Sequence, residues 1–565
     1  MRITGAEAVI ESLKKEQVQV VFGYPGGAVL SLYDALYRMQ FPHILTGHEQ
    51  GAVHAADGYA RATGKVGVCF ATSGPGVCNM VTGIATANID SIPLVVISGQ
   101  VATHLIGRDS FQEADISGIT TPITKHNYLV KKVQDLPRVL KEAFYIARTG
   151  RPGPVLVDVA KDVFDTKFDY EYPETVSLRG YNPPKSGNAA EVDAALDALN
   201  KANKPLLMVG GGVVLSGTSE PLRKFVEATS MPVVYTLMGK GAIPDAWEYN
   251  LGMVGMHGSY GANMAVTECD LLMAVGCRFD DRVTGSVENF APNAKILHFD
   301  IDKVEINKIV HADLSVNGDL RWSLPLLVQQ MQTKPVNSLQ YVPWRQHTLD
   351  LKAQHPFTTR PSGKGTVSPQ KILQTLTEKA GPEAIVTTDV GQHQMWAAQF
   401  CDVQSPRHFV TSGGLGTMGY GLPAAMGAQL GCPKNTVVLV TGDGSIMMNC
   451  QEFATLHKYG VPVKVVVLRN DTLGMVNQWQ RMFYGGRCAE SDLQANPSVA
   501  GIAASMGVPG KLIHEESELD KALDEMLSTK GPALLEVTIP PDENVYPMVP
   551  GGKRLDEMVL GGEEA

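Results

Sequence analysis

The segment VTGDGSIMMN, residues 440–449, sets Asp443 between Gly442 and Gly444 directly after an apolar run at 437–440. A helical stretch with Phe453 and Leu456 on one face follows and stops at Gly460. The strand VKVVVL then delivers Asn470, 27 residues after Asp443. In a right-handed βαβ unit both side chains point into the crevice at the carboxyl ends of neighbouring strands, where open α/β sheets bind ligands. A carboxylate and an amide carbonyl are hard oxygen donors suited to Mg²⁺, which usually keeps phosphate oxygens as further ligands. Bare glycine backbone admits a diphosphate, and the N-terminus of the following helix favours its charge. A plain turn with Asp443 as a helix cap would explain the Gly-Asp-Gly triplet alone. The distant Asn470 is what favours a metal and diphosphate site.

The elements that must position these residues are legible in the alternation of short β-branched runs with longer helical patterns, the signature of parallel α/β layers. Two regions repeat one another. ILTGHEQGAVHAADGYARA (44–62) matches FVTSGGLGTMGYGLPAAMGA (409–428), and VCFATSGPG with IPLVVISG matches VLVTGDGS with VPVKVVVLRN. Gly76 to Pro93 spans 17 residues and Gly444 to Pro462 spans 18. Two matches in the same order imply a duplicated unit, so related domains are expected at 1–165 and 365–540. A third is expected at 190–335, carrying PLLMVGGGVV, DLLMAVGCRF and KILHFDID. The expected fold class is α/β, with three doubly wound parallel-sheet domains. Flanks rich in Pro, Gly and polar residues serve as linkers. The tail, 541–565, has little periodicity and reads equally as a cover or a frayed end.

Composition narrows the function classes. At 565 residues the chain exceeds one ordinary core, and about 150 residues per domain suggests three or four units. A formal net charge of −10 argues against a nucleic-acid surface, which would need a basic excess. No apolar run reaches the roughly 20 residues of a membrane span. Eight cysteines without a C-x-x-C pair point to a reducing compartment rather than to a zinc site or a disulfide scaffold. The N-terminus enters an amphipathic helix at once and has no apolar or Arg/Ser-rich lead, so a cytoplasmic protein is expected.

GDGS followed one βαβ unit later by ND resembles the motif of the thiamin-diphosphate enzymes, which include transketolase and pyruvate decarboxylase. The family usually shows Asn-Asn where this chain has Arg469-Asn470, a departure at the non-ligand position. The resemblance narrows to the acetohydroxyacid synthase (acetolactate synthase) catalytic subunits. It runs through FGYPGGAVLSLYDAL, HEQGAVHAADGYARATGKVGV, SGPGVCNMVTGIATA, DSFQEADI, TKHNYLV, GRPGPVLVDVAKDV, GMHG, RFDDRVTG, SGGLGTMGYGLPAAMGAQ and LGMVNQWQRMFY.

The resemblance implies that thiamin diphosphate and Mg²⁺ are held by Gly442, Asp443, Gly444, Ser445 and Asn470, with the Thr472 carbonyl as third protein ligand to the metal. It implies that Gly416 accepts a hydrogen bond from the cofactor's amino group, that Met418 wedges it into a bent shape, and that Met475 lines it. Glu49 of HEQGA, which has Gly414 as its counterpart in the repeat, matches the family acid that shares a proton with the pyrimidine ring. A helix-start Glu stabilised by the helix dipole is the structural alternative. The activity implied is decarboxylation of pyruvate and joining of its C2 unit to pyruvate or 2-ketobutyrate, the first common step of branched-chain amino acid biosynthesis. By the same resemblance Arg282 meets the acceptor carboxylate, Trp479 its alkyl group, and Met256 and Val476 line the wall. An ion pair with Asp280 or Asp281 is the plainer role for Arg282. Phe111, Gln112 and Lys161 match substrate-channel residues, and Gly27 offers a backbone donor or simply a tight turn. The resemblance also implies a structural, non-redox FAD on Arg151, Gly210, Gly211, Gly212, Thr236, Leu237, Met238, His257, Gly258, Ser259, Gly276, Arg278 and Asp300. The implied assembly is a homodimer with shared active sites, built up to a tetramer, with a small regulatory subunit. A flavin-dependent pyruvate oxidase is the closest alternative, and a non-catalytic nucleotide-binding scaffold the more distant one.

Overall fold

The computed structural model describes residues 1–561. Its backbone is three six-stranded sheets, each wholly parallel, plus a two-stranded antiparallel ribbon that ties Arg2–Thr4 to Lys167–Asp169. The first sheet holds β1 (Val21–Gly23), β2 (His43–Leu45), β3 (Gly67–Ala71), β4 (Leu94–Gln100), β5 (His126–Val130) and β6 (Pro154–Ala160). The second holds β7 (Pro205–Val209), β8 (Val233–Tyr235), β9 (Asn250–Met253), β10 (Leu271–Val275), β11 (Lys295–Asp300) and β12 (Leu314–Asn317). The third holds β13 (Ile385–Thr388), β14 (Phe409–Val410), β15 (Val437–Gly442), β16 (Lys464–Arg469), β17 (Gly510–Ile513) and β18 (Ala533–Thr538). The inner strands are buried on both faces, which is why they read as unbroken apolar runs rather than as alternation.

Strand order exposes the duplication. The first sheet runs β2-β1-β3-β4-β6-β5 and the third β14-β13-β15-β16-β18-β17, the same permutation. The central sheet runs β9-β8-β7-β10-β11-β12, the 3-2-1-4-5-6 order of dinucleotide-binding sheets. The five helices that matter to the site are α1 (Glu49–Thr63), α2 (Val81–Ile89), α3 (Gly421–Gly431), α4 (Glu452–Tyr459) and α5 (Gly474–Phe483).

The two copies meet through α1 and α3. Both helices are built of small residues and buried nearly all round, so neither has a solvent face to set its register. Glycines set it instead. A Cβ on Gly58 would overlap the Ala424 carbonyl, and one on Gly427 the Ala55 carbonyl, so each helix lays its backbone against the other's. One apolar core runs across this contact, joining Val53, Ala56 and Val96 of the first unit to Ala425, Leu439 and Val465 of the third. Its polar centre is Arg61, whose Nε lies 2.5 Å from Asp57 Oδ1 and Nη2 3.0 Å from Asp90 Oδ2, while the Tyr420 hydroxyl donates to Asp57 at 2.7 Å.

The tail, whose role the sequence leaves open, is packed as far as Gly561. Its last four residues lie outside the described ones. Val545 and Met548 are fully buried, Val549 and Leu555 join the core of the central unit, and Met548 pairs with Val559 in an antiparallel bridge. Among the described residues no helix is long and apolar enough to cross a membrane.

Overpacking a tight core contact costs about 1–3 kcal/mol. Gly427→Ala is therefore expected to lower the melting temperature by several degrees. Gly531→Ala, whose added methyl would meet nothing within 4 Å, should leave it unchanged; equal melting curves for the two variants would refute the close-contact account.

Candidate functional site

In the third sheet β13 and β15 are neighbours, and the order reverses between them, so their carboxyl ends flank a crevice. A cleft of about 450 Å³ opens there, lined by the 390–393 turn after β13, Gly442 to Ser445 after β15, and Asn470, Thr472, Met475 and Val476. Met418 closes one side. Asp443 is buried and its Oδ2 accepts from the Asp471 amide at 2.8 Å; burial pushes its carboxyl up to about 7. Asn470 Oδ1 accepts from the Thr472 amide at 3.2 Å, and the Asn470 amide group donates to Gln392 Oε1 at 3.2 Å. The Thr472 hydroxyl is buried without a hydrogen-bond partner. The glycines are bare because there is no room: a Cβ on Gly442 would meet the His393 ring at 2.8 Å, and one on Gly444 the Leu473 side chain at 2.8 Å. Arg469 is spoken for by Asp471 at 2.7 Å and Glu536 at 3.0 Å, which accounts for an arginine next to Asn470. The helical stretch after Asp443 is two pieces, Asp443–Ile446 and α4, and at the break Asn449 donates to the Gly419 carbonyl at 2.7 Å.

Three residues here escape the sequence reading. Asp389 is fully buried, accepts from the Val390 and Gly419 amides at 2.9 Å each, and has its carboxyl pushed up to about 6 by desolvation. Gln392 and His393 line the cleft, the imidazole driven down to about 3 by burial. The signal was present in IVTTDVGQH, an apolar run ending in an acid and a glycine just as VVLVTGDG does.

The first unit presents a second half-site at the equivalent strand ends. Glu49 opens α1, its neighbour His48 accepting from the Gln50 amide at 3.0 Å as the cap. The Glu49 carboxylate is buried and accepts from Asn79 at 3.0 Å; a Cβ on Gly76 would stand 3.3 Å from its other oxygen. From the third unit, buried Glu452 accepts the Gly47 amide at 3.0 and 3.1 Å and so fixes the turn before Glu49. Gly27 is exposed, with open space where a Cβ would be. Gln112 is left-handed at φ +58°, its carbonyl against Gly74, while Phe111 is 88% exposed and Lys161 exposed beyond β6. Glu49 does not line the Asp443 cleft.

The central sheet reverses its order between β7 and β10. A cleft of about 1040 Å³ lies there, and Arg151, Gly211, Gly212, Thr236, Met238, Gly276, Arg278 and Asp300 all line it. Gly210 packs against the Gly276 carbonyl just behind, and Leu237 turns toward the apolar core. His257, Gly258 and Ser259 do not line this cleft. His257 Nδ1 lies 3.1 Å from the Pro547 carbonyl, and Ser259 caps the next helix by accepting from the Ala262 amide at 3.1 Å. Asp300, at the end of β11, is pushed up to about 7 by burial, with Arg151 among the charges that oppose the shift.

Arg282 and Trp479, 197 positions apart, come together. The guanidinium stands 5.8 Å over the indole ring, within cation–π range, and 3.7 Å from the Met256 sulfur. Its plainer role is met in part: Asp281 makes a loose, exposed ion pair with its Nε at 3.8 Å, while Asp280 caps the local helix through the Arg282 backbone amide. The tail braces this arrangement, the Val549 amide donating to the Met256 carbonyl and the Met256 amide to the Arg282 carbonyl, both at 2.8 Å.

Three family profiles match the chain in the order of these units: thiamine pyrophosphate enzyme N-terminal TPP binding domain at 3–119, central domain at 192–327, and C-terminal TPP binding domain at 389–537. The acetolactate synthase isozyme 2 large subunit of Escherichia coli K12 is 48% identical over 99% of both chains. The chain belongs to the acetolactate synthase large-subunit family. Other members are equally close. The acetolactate synthase large subunit of Parasynechococcus marenigrum is 49% identical over 99% of this chain and 91% of its own, and the probable large subunit of Methanocaldococcus jannaschii 46% over 98% and 95%. Membership in this acetolactate synthase family accounts for the thiamin-diphosphate fold on both flanks of the dinucleotide-type sheet.

Asp443 and Asp300 hold protons up to about pH 7 when folded, against 3.8 for a free carboxyl. A raised acid pKa stabilises the folded state fully below the unfolded value and loses that contribution as pH rises through the folded one. The cofactor-free protein is therefore expected to melt at falling temperature as pH climbs from about 4 to beyond 7. Asp443→Asn should flatten part of that slope, and an unchanged pH profile would contradict the burial argument.

Proposed function

We propose that this chain is an acetolactate synthase that decarboxylates pyruvate and joins the C2 unit to pyruvate or 2-ketobutyrate. The observation that carries the reading is the Arg282–Trp479 pair: Trp479 stands on α5, whose first turn, through Met475 and Val476, lines the Asp443 cleft, and Arg282 of the central unit lies over its ring. A cation and an apolar plate from different domains suit a 2-keto acid: the guanidinium takes its carboxylate and the indole its alkyl chain. The chain's place in its family supports the same conclusion.

Bound thiamin diphosphate supplies the electron sink for the decarboxylation and ligation. The residues present fit it and Mg²⁺. The Asp443 carboxyl is withdrawn from water with only an amide donor on Oδ2, next to the Asn470 carbonyl and the Thr472 backbone, and would give the metal its hard oxygens. Gly442, Gly444 and Ser445 line the cleft where a diphosphate would lie and Met418 would give an apolar support, while Gly416, in an exposed left-handed turn beside Met418, would supply a carbonyl though it does not itself line the cleft. Glu49, buried and fed by Asn79, would hold a proton at Oε1 for exchange with the pyrimidine ring. Gly27, Phe111, Gln112 and Lys161 would serve the substrate channel by the family resemblance, and the exposure of Gly27, Phe111 and Lys161 is in keeping with that.

The central cleft has the glycine backbone, arginines and strand-end acid to hold a dinucleotide, and we assign it FAD in a non-redox role. A pyruvate oxidase would instead pass electrons to this flavin, but it needs no cation and apolar plate for a second keto acid. That Glu49 does not line the Asp443 cleft supports active sites shared between two copies, with a tetramer as the fuller assembly. The "large subunit" in its relatives' names supports a small regulatory subunit. Cytoplasmic location fits a biosynthetic enzyme of this kind.

Purified protein with pyruvate, thiamin diphosphate, Mg²⁺ and FAD is expected to form acetolactate without any electron acceptor; flavin reduction without acetolactate would point to the oxidase instead. Glu49→Gln should abolish carboligation while thiamin diphosphate still binds by calorimetry, and full rate in that variant would refute the activator role. With both acceptors competing, Trp479→Ala should lower the preference for 2-ketobutyrate by about tenfold, since one methylene contact is worth about 1–3 kcal/mol.

A further inference from the structure

The segment SGGLGTMG, residues 412–419, carries Gly416 and Met418 on four glycines, a composition with little intrinsic preference for one shape. Gly416 and Gly419 both sit at positive φ, +66° and +83°, and only Leu415 and Gly416 at the tip are exposed. Something outside the segment must fix it. At its end the Gly419 amide donates to Asp389 at 2.9 Å, and at its middle Thr417 shares a hydroxyl hydrogen bond of 2.7 Å with Thr86 of α2. At its start, a single carboxylate from the other copy takes both free amides: Asp90 Oδ2 accepts from Gly413 at 3.0 Å and Oδ1 from Gly414 at 2.8 Å. Asp90 is itself held by Arg61 at 3.0 Å and is 7% exposed.

The Asp90 side chain is fully buried, and the residue lines the dinucleotide-type cleft together with Arg278 and Met238. Arg278 donates to the carbonyl of Ile89, the residue before Asp90, at 2.6 Å. A Cβ on Gly414 would stand 2.6 Å from an Arg278 nitrogen and 2.7 Å from Asp90 Oδ1, and one on Gly413 would overlap the Met238 sulfur. Three residues of the central cleft thus close on the two glycines that begin the segment. Four residues later that segment supplies Met418 to the Asp443 cleft.

We propose that Asp90 is a positioning residue through which occupancy of the central cleft pre-forms the thiamin-diphosphate site. This rests on the assignment of FAD to that cleft. A ligand that immobilises Arg278 and Met238 removes the room into which Gly413 and Gly414 could shift, and Asp90 passes the constraint to Gly416 and Met418. The ordering cost of the segment is then met once, by whichever cofactor arrives first. Linkage makes the effect reciprocal, so each cofactor tightens the other by the same factor. A non-redox flavin acquires a physical reason to be required.

The test is calorimetric titration of the full-length cofactor-free protein with thiamin diphosphate and Mg²⁺, with and without saturating FAD, and the reverse titration. At least about fivefold tightening in each direction, by equal factors, is expected, the lower end of ordinary coupling energies. In Asp90→Asn each cofactor should still bind alone, but the factor should fall to near one. Gly414→Ala, which disturbs the clamp without removing a buried charge, should do the same; its added methyl is expected to lower the melting temperature by a few degrees, but it keeps the buried charge and serves if Asp90→Asn folds poorly. A wild-type factor of one, or a wild-type factor preserved in both variants, would overturn the proposal. Failure of FAD to bind at all, or FAD binding indifferent to Gly212→Val, would refute the flavin assignment and the proposal with it. Coupling lost with binding intact sinks only the positioning role if it is lost equally in an α1–α3 contact variant such as Gly427→Ala.

Discussion

The contact of α1 with α3 at backbone distance is the constraint on which the rest depends. Most interdomain contacts are side chain to side chain and tolerate a small slide. Here Gly58 sits against the Ala424 carbonyl and Gly427 against the Ala55 carbonyl, so a shift of either helix meets main chain. The register of the two copies is thereby fixed, and with it every hydrogen bond that crosses between them. The buried Arg61 shared by Asp57 and Asp90 is tolerable only in such a rigid setting, because an ion pair away from water is favourable only when its geometry is well kept.

That contact sets up a reciprocal brace. Glu452 of the third unit caps the Gly47 turn that leads to Glu49, and Asp90 of the first unit caps the Gly413–Gly414 turn that leads to Gly416 and Met418. Both acids are buried, both accept backbone amides, and both hold a glycine turn belonging to the other copy. Glycine at these turns gives the chain its close approach and its unusual φ values, at the cost of backbone freedom. A carboxylate taking paired amides is a strong way to remove that freedom. The duplicated fold thus uses each half to stiffen the other's functional turn.

The sequence made much of this legible. The repeat predicted two like units, and the identical strand permutation bears out the kinship of the first and third sheets. Asp443 with Asn470 predicted a shared crevice, and the structure puts both on one cleft. Arg282 with Trp479 came from resemblance alone, since nothing in spacing links residues from separate sheets. Glu452 and Asp90 were missed for a common reason. Each acts by accepting backbone amides from a distant segment, and a lone acid at a strand or helix end is indistinguishable in sequence from an ordinary cap. The tail was illegible because its burial comes from apolar residues spaced irregularly along extended chain, Val545, Met548, Val549 and Leu555, with no period to detect. His257 to Ser259 matched by motif but face the tail and the next helix rather than the central cleft, a matter of backbone path that composition does not encode.

The divergence of the two copies has an electrostatic logic. Asp443 needs a cation to be comfortable as a carboxylate, since burial, with the Asp471 charge adding to it, drives its proton affinity up to about pH 7. In the proposed role, Glu49 must not be claimed by a metal. Placing both acids in one strand-end crevice would let a divalent ion bridge them and remove the proton carrier. The duplication avoids this: where the first copy has Glu49 the third has Gly414, and where the third has Asp443 in GDGS the first has Pro75 in SGPG. The two copies thus place their distinguishing acids at different strand-end crevices.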